Sequence, residues 1–188
     1  MQGASVESPI LIVRAGDFYG PKVRASWFAQ AMVTPGKPVT RLVTLVRGVG
    51  HTWAYLPDLA DTMARLLDIG HDAPSRLRLF ERIGFEGFWD ADGTAMPALV
   101  SAALGRDRLP ERAFPWWLMQ ALAPFGGFPR EAVDILPFWH HPLRVDNARL
   151  LELLGKEPRT DPLLAMRTTL AGLGCLPEDE KALAAKPA

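Results

Sequence analysis

Few side chains in this chain of 188 residues are spaced for catalysis. It has two tyrosines, Tyr19 and Tyr55, and the residues four positions after them are Val23 and Leu59. A tyrosine whose phenolate is stabilised by a lysine one helical turn later is therefore absent. Cys175, the single cysteine, has no histidine or other base near it in sequence. It reads as a small apolar residue near the end of the last helix, not as a reactive thiol. His140-His141, after Phe138-Trp139, invite a metal reading. Adjacent histidines in an extended segment point to opposite sides, and no cysteine or acidic residue clusters with them, so no metal site is assigned. Gly48-Val49-Gly50 and Gly172-Leu173-Gly174 are the nearest strings to a phosphate-cradling loop. The first lacks a third glycine and the second closes a helix, so they read as a turn and a helix stop. Arg14 reads as an ion-pair partner for a carboxylate such as Asp58. No residue is assigned a catalytic role.

The elements that would position such groups begin at once. Ile10-Leu11-Ile12-Val13 is apolar on both faces, the signature of a central parallel strand. The turn-rich Gly16 to Pro21 ends it. A helix is expected near Ser26 to Val33, a second strand over Arg41 to Val46, and a short extended piece from His51 to Leu56. Pro57-Asp58 opens a helix with apolar Leu59, Met63, Leu66 and Leu67. Leu77 to Phe85 reads as a third strand region, and Ala95 to Leu104 as a helix stopped by Gly105. Arg106 to Pro142, rich in proline and aromatics, reads as short helices in an irregular cap. Its aromatics, among them Phe114, Trp116, Phe138 and Trp139, either pack the cap or line a substrate pocket or a partner surface. Asp146 and Asp161-Pro162 mark two closing helices.

The expected fold is α/β. Residues 1–105 would be a remnant of a doubly wound Rossmann-type sheet, 106–176 an α-rich substrate-side cap with closing helices, and 177–188 a flexible tail. A doubly apolar strand needs a neighbour on each edge and helices on both faces. Two or three short strands do not supply these, so the sheet is expected to continue elsewhere.

Composition excludes some classes. Lys plus Arg and Asp plus Glu are both 21, so no global charge draws the chain to nucleic acid or an anionic membrane. The longest uncharged stretch, Ala113 to Pro129, is short for a span and broken by Pro115, Pro124, Gly126 and Gly127. Lone-cysteine usage and the absence of a signal-like start point to the cytoplasm.

Ile12-Val13-Arg14-Ala15-Gly16-Asp17-Phe18-Tyr19-Gly20-Pro21 resembles a segment of the extended short-chain dehydrogenases, the NAD-dependent epimerase/dehydratase family. His51 to Ala60 resembles a second segment at the expected distance, and Gly36-Lys37-Pro38 the turn before it. Asp146 to Leu150, Leu154-Gly155 and Pro158-Arg159-Thr160 resemble the family's tail. The likeness covers about residues 10 to 174 and is closest to bacterial members. It implies the carboxy-terminal half of such an enzyme, truncated before its Gly-rich loop and Tyr-x-x-x-Lys pair.

The resemblance also implies roles. Ala15, Gly16 and Asp17 would lie beside the nicotinamide of NAD or NADP. Gly16 would do so by close backbone approach or, alternatively, be a loop glycine of positive φ. Asp17, Phe18 and His51 would be the substrate-side set. Asp17 holds substrate or caps the turn before Gly20-Pro21. His51 stands where sugar-nucleotide epimerases place a phosphate-gripping arginine, or is a surface loop histidine. A histidine is a weaker, pH-dependent anion ligand, which puts a nucleotide-sugar substrate in doubt. The chain alone is expected to bind no dinucleotide. It would be an inactive substrate-side fragment, half of a split enzyme completed by a missing amino-terminal partner, or a non-catalytic, self-associating module.

Overall fold

The computed structural model describes residues 10–177, so the expected tail lies, apart from Pro177, outside the described residues. The fold is mixed α/β with three small sheets. β1 (Ile10–Arg14) runs parallel to β5 (Phe80–Gly84), with Ile10 opposite Phe80 and Ile12 opposite Arg82. β4 (His51–Tyr55) lies between β2 (Asp17–Tyr19), parallel to it, and β6 (Phe88–Asp90), antiparallel to it. β3 (Leu42–Thr44) runs parallel to β7 (Glu111–Ala113). The helices are α1 (Leu56–Asp72), α2 (Ala95–Ala103), α3 (Trp116–Leu122), α4 (Gly127–His140), α5 (Ala148–Leu154) and α6 (Pro162–Gly172).

β1 shows one feature of its sequence in isolation. Leu11 and Val13 pack against a core of Ala54, Leu59, Leu66, Ile83, Phe85 and Leu150. Ile10 is 58% exposed, its register partner Phe80 is 48% exposed, and Ile12 also faces outward. Among the described residues β1 has a strand neighbour on one edge only. A strand apolar on both faces ordinarily has a neighbour on each edge and helices over both faces.

α1 starts directly from β4. Pro57 sits in its first turn, where no amide donor is required. Leu59, Thr62 and Leu66 are buried, whereas Met63 and Leu67, expected on the same apolar face, are exposed. Asp58 does not pair with Arg14. It accepts from Thr160, at 2.7 Å from the amide and 2.6 Å from the hydroxyl. This bond fastens the segment before α6 to the start of α1. Glu157 fastens it again, accepting from the Glu86 and Gly87 amides at 2.9 Å each and from Asn147 Nδ2 at 2.8 Å.

The expected helix over Ser26 to Val33 is a π-helical stretch, Phe28–Met32. The segment expected to be all helical contributes a strand, β7, whose partner β3 lies before residue 105. One core runs through both parts, with Phe28, Leu42, Met96, Val100, Met166 and Leu170 fully buried in it. Cys175 is buried there, its thiol directed at the Thr34 carbonyl. α5 is held to β5 by Arg149, which donates to the buried Glu81 at 2.6 Å and to the Arg76 carbonyl at 2.9 Å. The guanidinium bond, above all, keeps the Glu81 carboxyl below the usual carboxylate range. Asp146 accepts from the Ala148 amide and Asp161 from the Leu164 amide, each at the start of its helix.

Candidate functional site

The side chains of alternate residues in β2 and β4 share one face of the sheet. Asp17 is in register with Trp53, two residues beyond His51, and this brings Asp17 and His51 together on that face. His51 Nε2 is 2.5 Å from Asp17 Oδ2. A carboxylate only accepts, so Nε2 carries the hydrogen. The imidazole is 7% exposed and the Asp17 side chain 29%. His51 is therefore not a surface loop residue, and its partner is the part that meets solvent.

Two tryptophans fix the ring. Trp139, in the last turn of α4, stacks on it with centroids 4.2 Å apart and planes at 15°. Trp53 meets it edge-on at 5.4 Å. Behind it, His51 Nδ1 is buried without a hydrogen-bond partner among the described residues. His51 also lines a small cavity of about 20 Å³ with Thr44 and Asp90, room for one water. Asp90 itself is committed, accepting from the Ala95 and Met96 amides at the start of α2.

In front of the pair lies a cleft of about 240 Å³. Ala15, Gly16 and Asp17 form one wall, and Trp27, Ile135, Phe138, Trp139 and Leu143 the others. Leu143 is brought in by a bridge to His51 and by Thr52, whose hydroxyl donates to the Leu143 carbonyl at 3.0 Å. Trp27 is held by contacts to Phe114, Trp116, Phe128 and Trp139. Gly16 does not have positive φ. Its small size is required by Thr52, since a Cβ there would stand 2.0 Å from the Thr52 carbonyl oxygen.

The structure thus unites Ala15, Gly16, Asp17 and His51 in one cleft. It places Phe18 elsewhere: alternation in β2 turns that ring to the opposite face, and it does not line the cleft. Ile135, Leu143 and Trp27, the last within an expected helix, are not singled out in the sequence. Nothing in their local spacing marks them, because they reach the cleft through long-range packing. Phe138 and Trp139, aromatics expected either to pack the cap or to line a pocket, do line this cleft. His140 closes α4 and His141 follows it, both exposed, and no group of three possible metal ligands occurs among the described residues.

A second cleft, of about 300 Å³, is lined by Tyr19, Tyr55, Asp58, Arg144 and Arg159. Its charges are closed on each other. Arg144 donates twice to Glu86, at 3.0 and 2.8 Å, Arg159 pairs with Glu157, and Asp58 is taken by Thr160. Burial first, then the charge of Asp58, pushes both tyrosine hydroxyls above their ordinary range. Neither is an activated phenolate. The Asp17–His51 cleft is the better candidate, since its carboxylate is partly exposed beside apolar walls.

No family model and no curated protein sequence matches the chain. Solved structures do. RMD from Pseudomonas aeruginosa, complexed with NADPH, is similar at TM-score 0.56 and 14% identity, over 87% of this chain and 47% of that one. The chain shares this fold. The epimerase-type fold recurs in a UDP-galactose 4-epimerase at TM-score 0.52 and 14% identity, over 88% of this chain and 45% of that one. It recurs again in MoeE5 in complex with UDP-glucose and NAD, at 0.52 and 13%, over 93% and 48%. The chain therefore spans about half the length of the epimerase-type structures it matches. Among the described residues no helix is long and apolar enough to cross a membrane.

Proposed function

We propose that this chain is the substrate-side, carboxy-terminal portion of an NAD(P)-dependent epimerase/dehydratase or reductase. The dinucleotide site and the acid/base pair would come from residues outside this sequence. The observation that carries the reading is β1: a parallel apolar strand that, among the described residues, has one bare edge and an uncovered face. The fold match to half of NADPH- and NAD-bound proteins supports it. Ala15, Gly16 and Asp17 would stand beside the nicotinamide, and Asp17 and His51 would form the substrate-side wall, in a cytoplasmic protein. Phe18, on the opposite face, would contact ligand only through parts of the site supplied from elsewhere.

Calorimetry tests this in two steps. The isolated chain should bind neither NADH nor NADPH, and micromolar binding to it would overturn the reading. Joined to an amino-terminal half carrying a Gly-rich loop and a Tyr-x-x-x-Lys pair, it should form a complex that binds dinucleotide. The bare β1 edge also favours a second reading, a module that self-associates through that strand. A concentration-dependent dimer that never takes up such a half would support it.

A further inference from the structure

The Asp17–His51 cleft has a chemistry of its own. Among the described residues, the only ionisable groups on its walls are Asp17 and His51, and no arginine or lysine lines it. The imidazole cannot serve as an anion grip, because Nε2 is already given to Asp17, Nδ1 is buried, and Trp139 covers one ring face. A diphosphate placed here would meet a carboxylate and lose its own hydration without a countercharge, which costs binding. What the walls offer is aromatic and aliphatic surface from Trp27, Ile135, Phe138, Trp139 and Leu143, with one partly exposed acceptor at the rim. Ring faces and apolar side chains favour a flat or cyclic hydrocarbon body, and a carboxylate favours a hydroxyl donor. The volume, about 240 Å³, suits a compact molecule.

We infer that this cleft takes a compact, uncharged alcohol with a ring-sized apolar body, its hydroxyl donating to Asp17, and that it does not take a nucleoside diphosphate. The inference rests on the reading of this cleft as the substrate side of the fold, and it names the substrate class. His51 acts here as a positioning residue. Its Nε2–H fixes the carboxylate, while Trp139 and Trp53 fix the ring.

The test is a titration of the full chain followed by NMR, watching the indole N–H signals of Trp27 and Trp139. The probes are 1-indanol, a bicyclic secondary alcohol, and UDP-glucose. Saturable shifts of these two signals are expected with 1-indanol and none with UDP-glucose. Asp17→Asn keeps the shape and removes the charge, and should weaken 1-indanol binding roughly ten-fold. Phe138→Ala, at an exposed position that does not endanger folding, should weaken it several-fold. Absence of saturable 1-indanol shifts would overturn the inference. So would UDP-glucose displacing 1-indanol, or affinity unmoved in both variants. No cofactor enters this experiment, so its result is separate from that of the dinucleotide experiment. A chain that binds 1-indanol but never joins a dinucleotide-binding half keeps the cleft chemistry and loses the family role. A chain that joins such a half and binds UDP-glucose in this cleft does the reverse.

Discussion

His51 Nε2 lies 2.5 Å from Asp17 Oδ2 across the parallel β2–β4 pair, and the ring is stacked on Trp139 from α4. One side chain therefore joins two strands and a helix from distant parts of the sequence. It gives the cleft a fixed carboxylate at the junction of sheet and cap.

Removing the imidazole should be costly. His51→Ala deletes the partner of Asp17 and opens a cavity under Trp139. The expected loss is about 2–4 kcal/mol, read from the urea midpoint. Asp17→Asn keeps a bond to Nε2 and should lose about 1 kcal/mol or less. Equal losses for the two variants would show that the ring and its bond contribute no more than the charge of Asp17.

Gly16 offers a steric test of the same junction. A Cβ would stand 2.0 Å from the Thr52 carbonyl oxygen, which is backbone and cannot swing away. Gly16→Ala should destabilise the fold by about 2–3 kcal/mol. Gly105→Ala is a useful contrast, because nothing lies within 4 Å of its Cβ position and the only strain is its φ of +63°. That control should cost about 1 kcal/mol.

Arg149 and Glu81 give a pH signature. Glu81 is 3% exposed, and its carboxyl is held low in the folded state, chiefly by the Arg149 bond. A depressed carboxylate stabilises the fold above its unfolded pKa. That contribution is lost as pH falls through the folded value. Arg149→Ala should therefore cost about 3 kcal/mol at neutral pH. The gap from wild type should narrow as pH falls toward and through the ordinary carboxylate range, because Glu81 without its partner takes up a proton more readily than it does beside Arg149. A gap constant from pH 7 to pH 3 in denaturation curves would contradict this.

Glu157 should control local opening. Its carboxylate accepts from the Glu86 and Gly87 amides and from Asn147. Glu157→Ala should speed hydrogen exchange at those two amides and destabilise the chain by about 2–3 kcal/mol. Unchanged exchange there would show that solvent or another group replaces the carboxylate.

How much was legible in the sequence depended on the range of the forces involved. β1, β4, α1, α2, α5 and α6 follow from local signals: a β-branched run, proline at Pro57 and Pro162, and aspartate at Asp161. β2, β6 and β7 were missed, β2 because Gly16 to Pro21 reads as a turn, and all three because three-residue strands gain their stability from pairing partners and not from local propensity. Asp17 and His51 were singled out through the resemblance, but their bond was not. It depends on a register that places Asp17 beside Trp53, which no local pattern encodes. The same holds for Asp58. Its partner is Thr160, 102 residues away, and not the expected Arg14.

The bare rim of β1 can be read directly by amide hydrogen exchange. Ile10 N–H donates to the Leu79 carbonyl, and the Phe85 amide donates to Arg14. Alternation then directs the Ile12 and Arg14 amides toward β5, and those of Leu11 and Val13 toward the unpaired edge. In the monomer, Leu11 and Val13 should exchange fast while Ile12 and Arg14 are protected, and an added dinucleotide-binding half should slow the fast pair. Slow exchange at all four amides in the monomer would mean that β1 is already paired on both sides, and that no part of its sheet lies elsewhere.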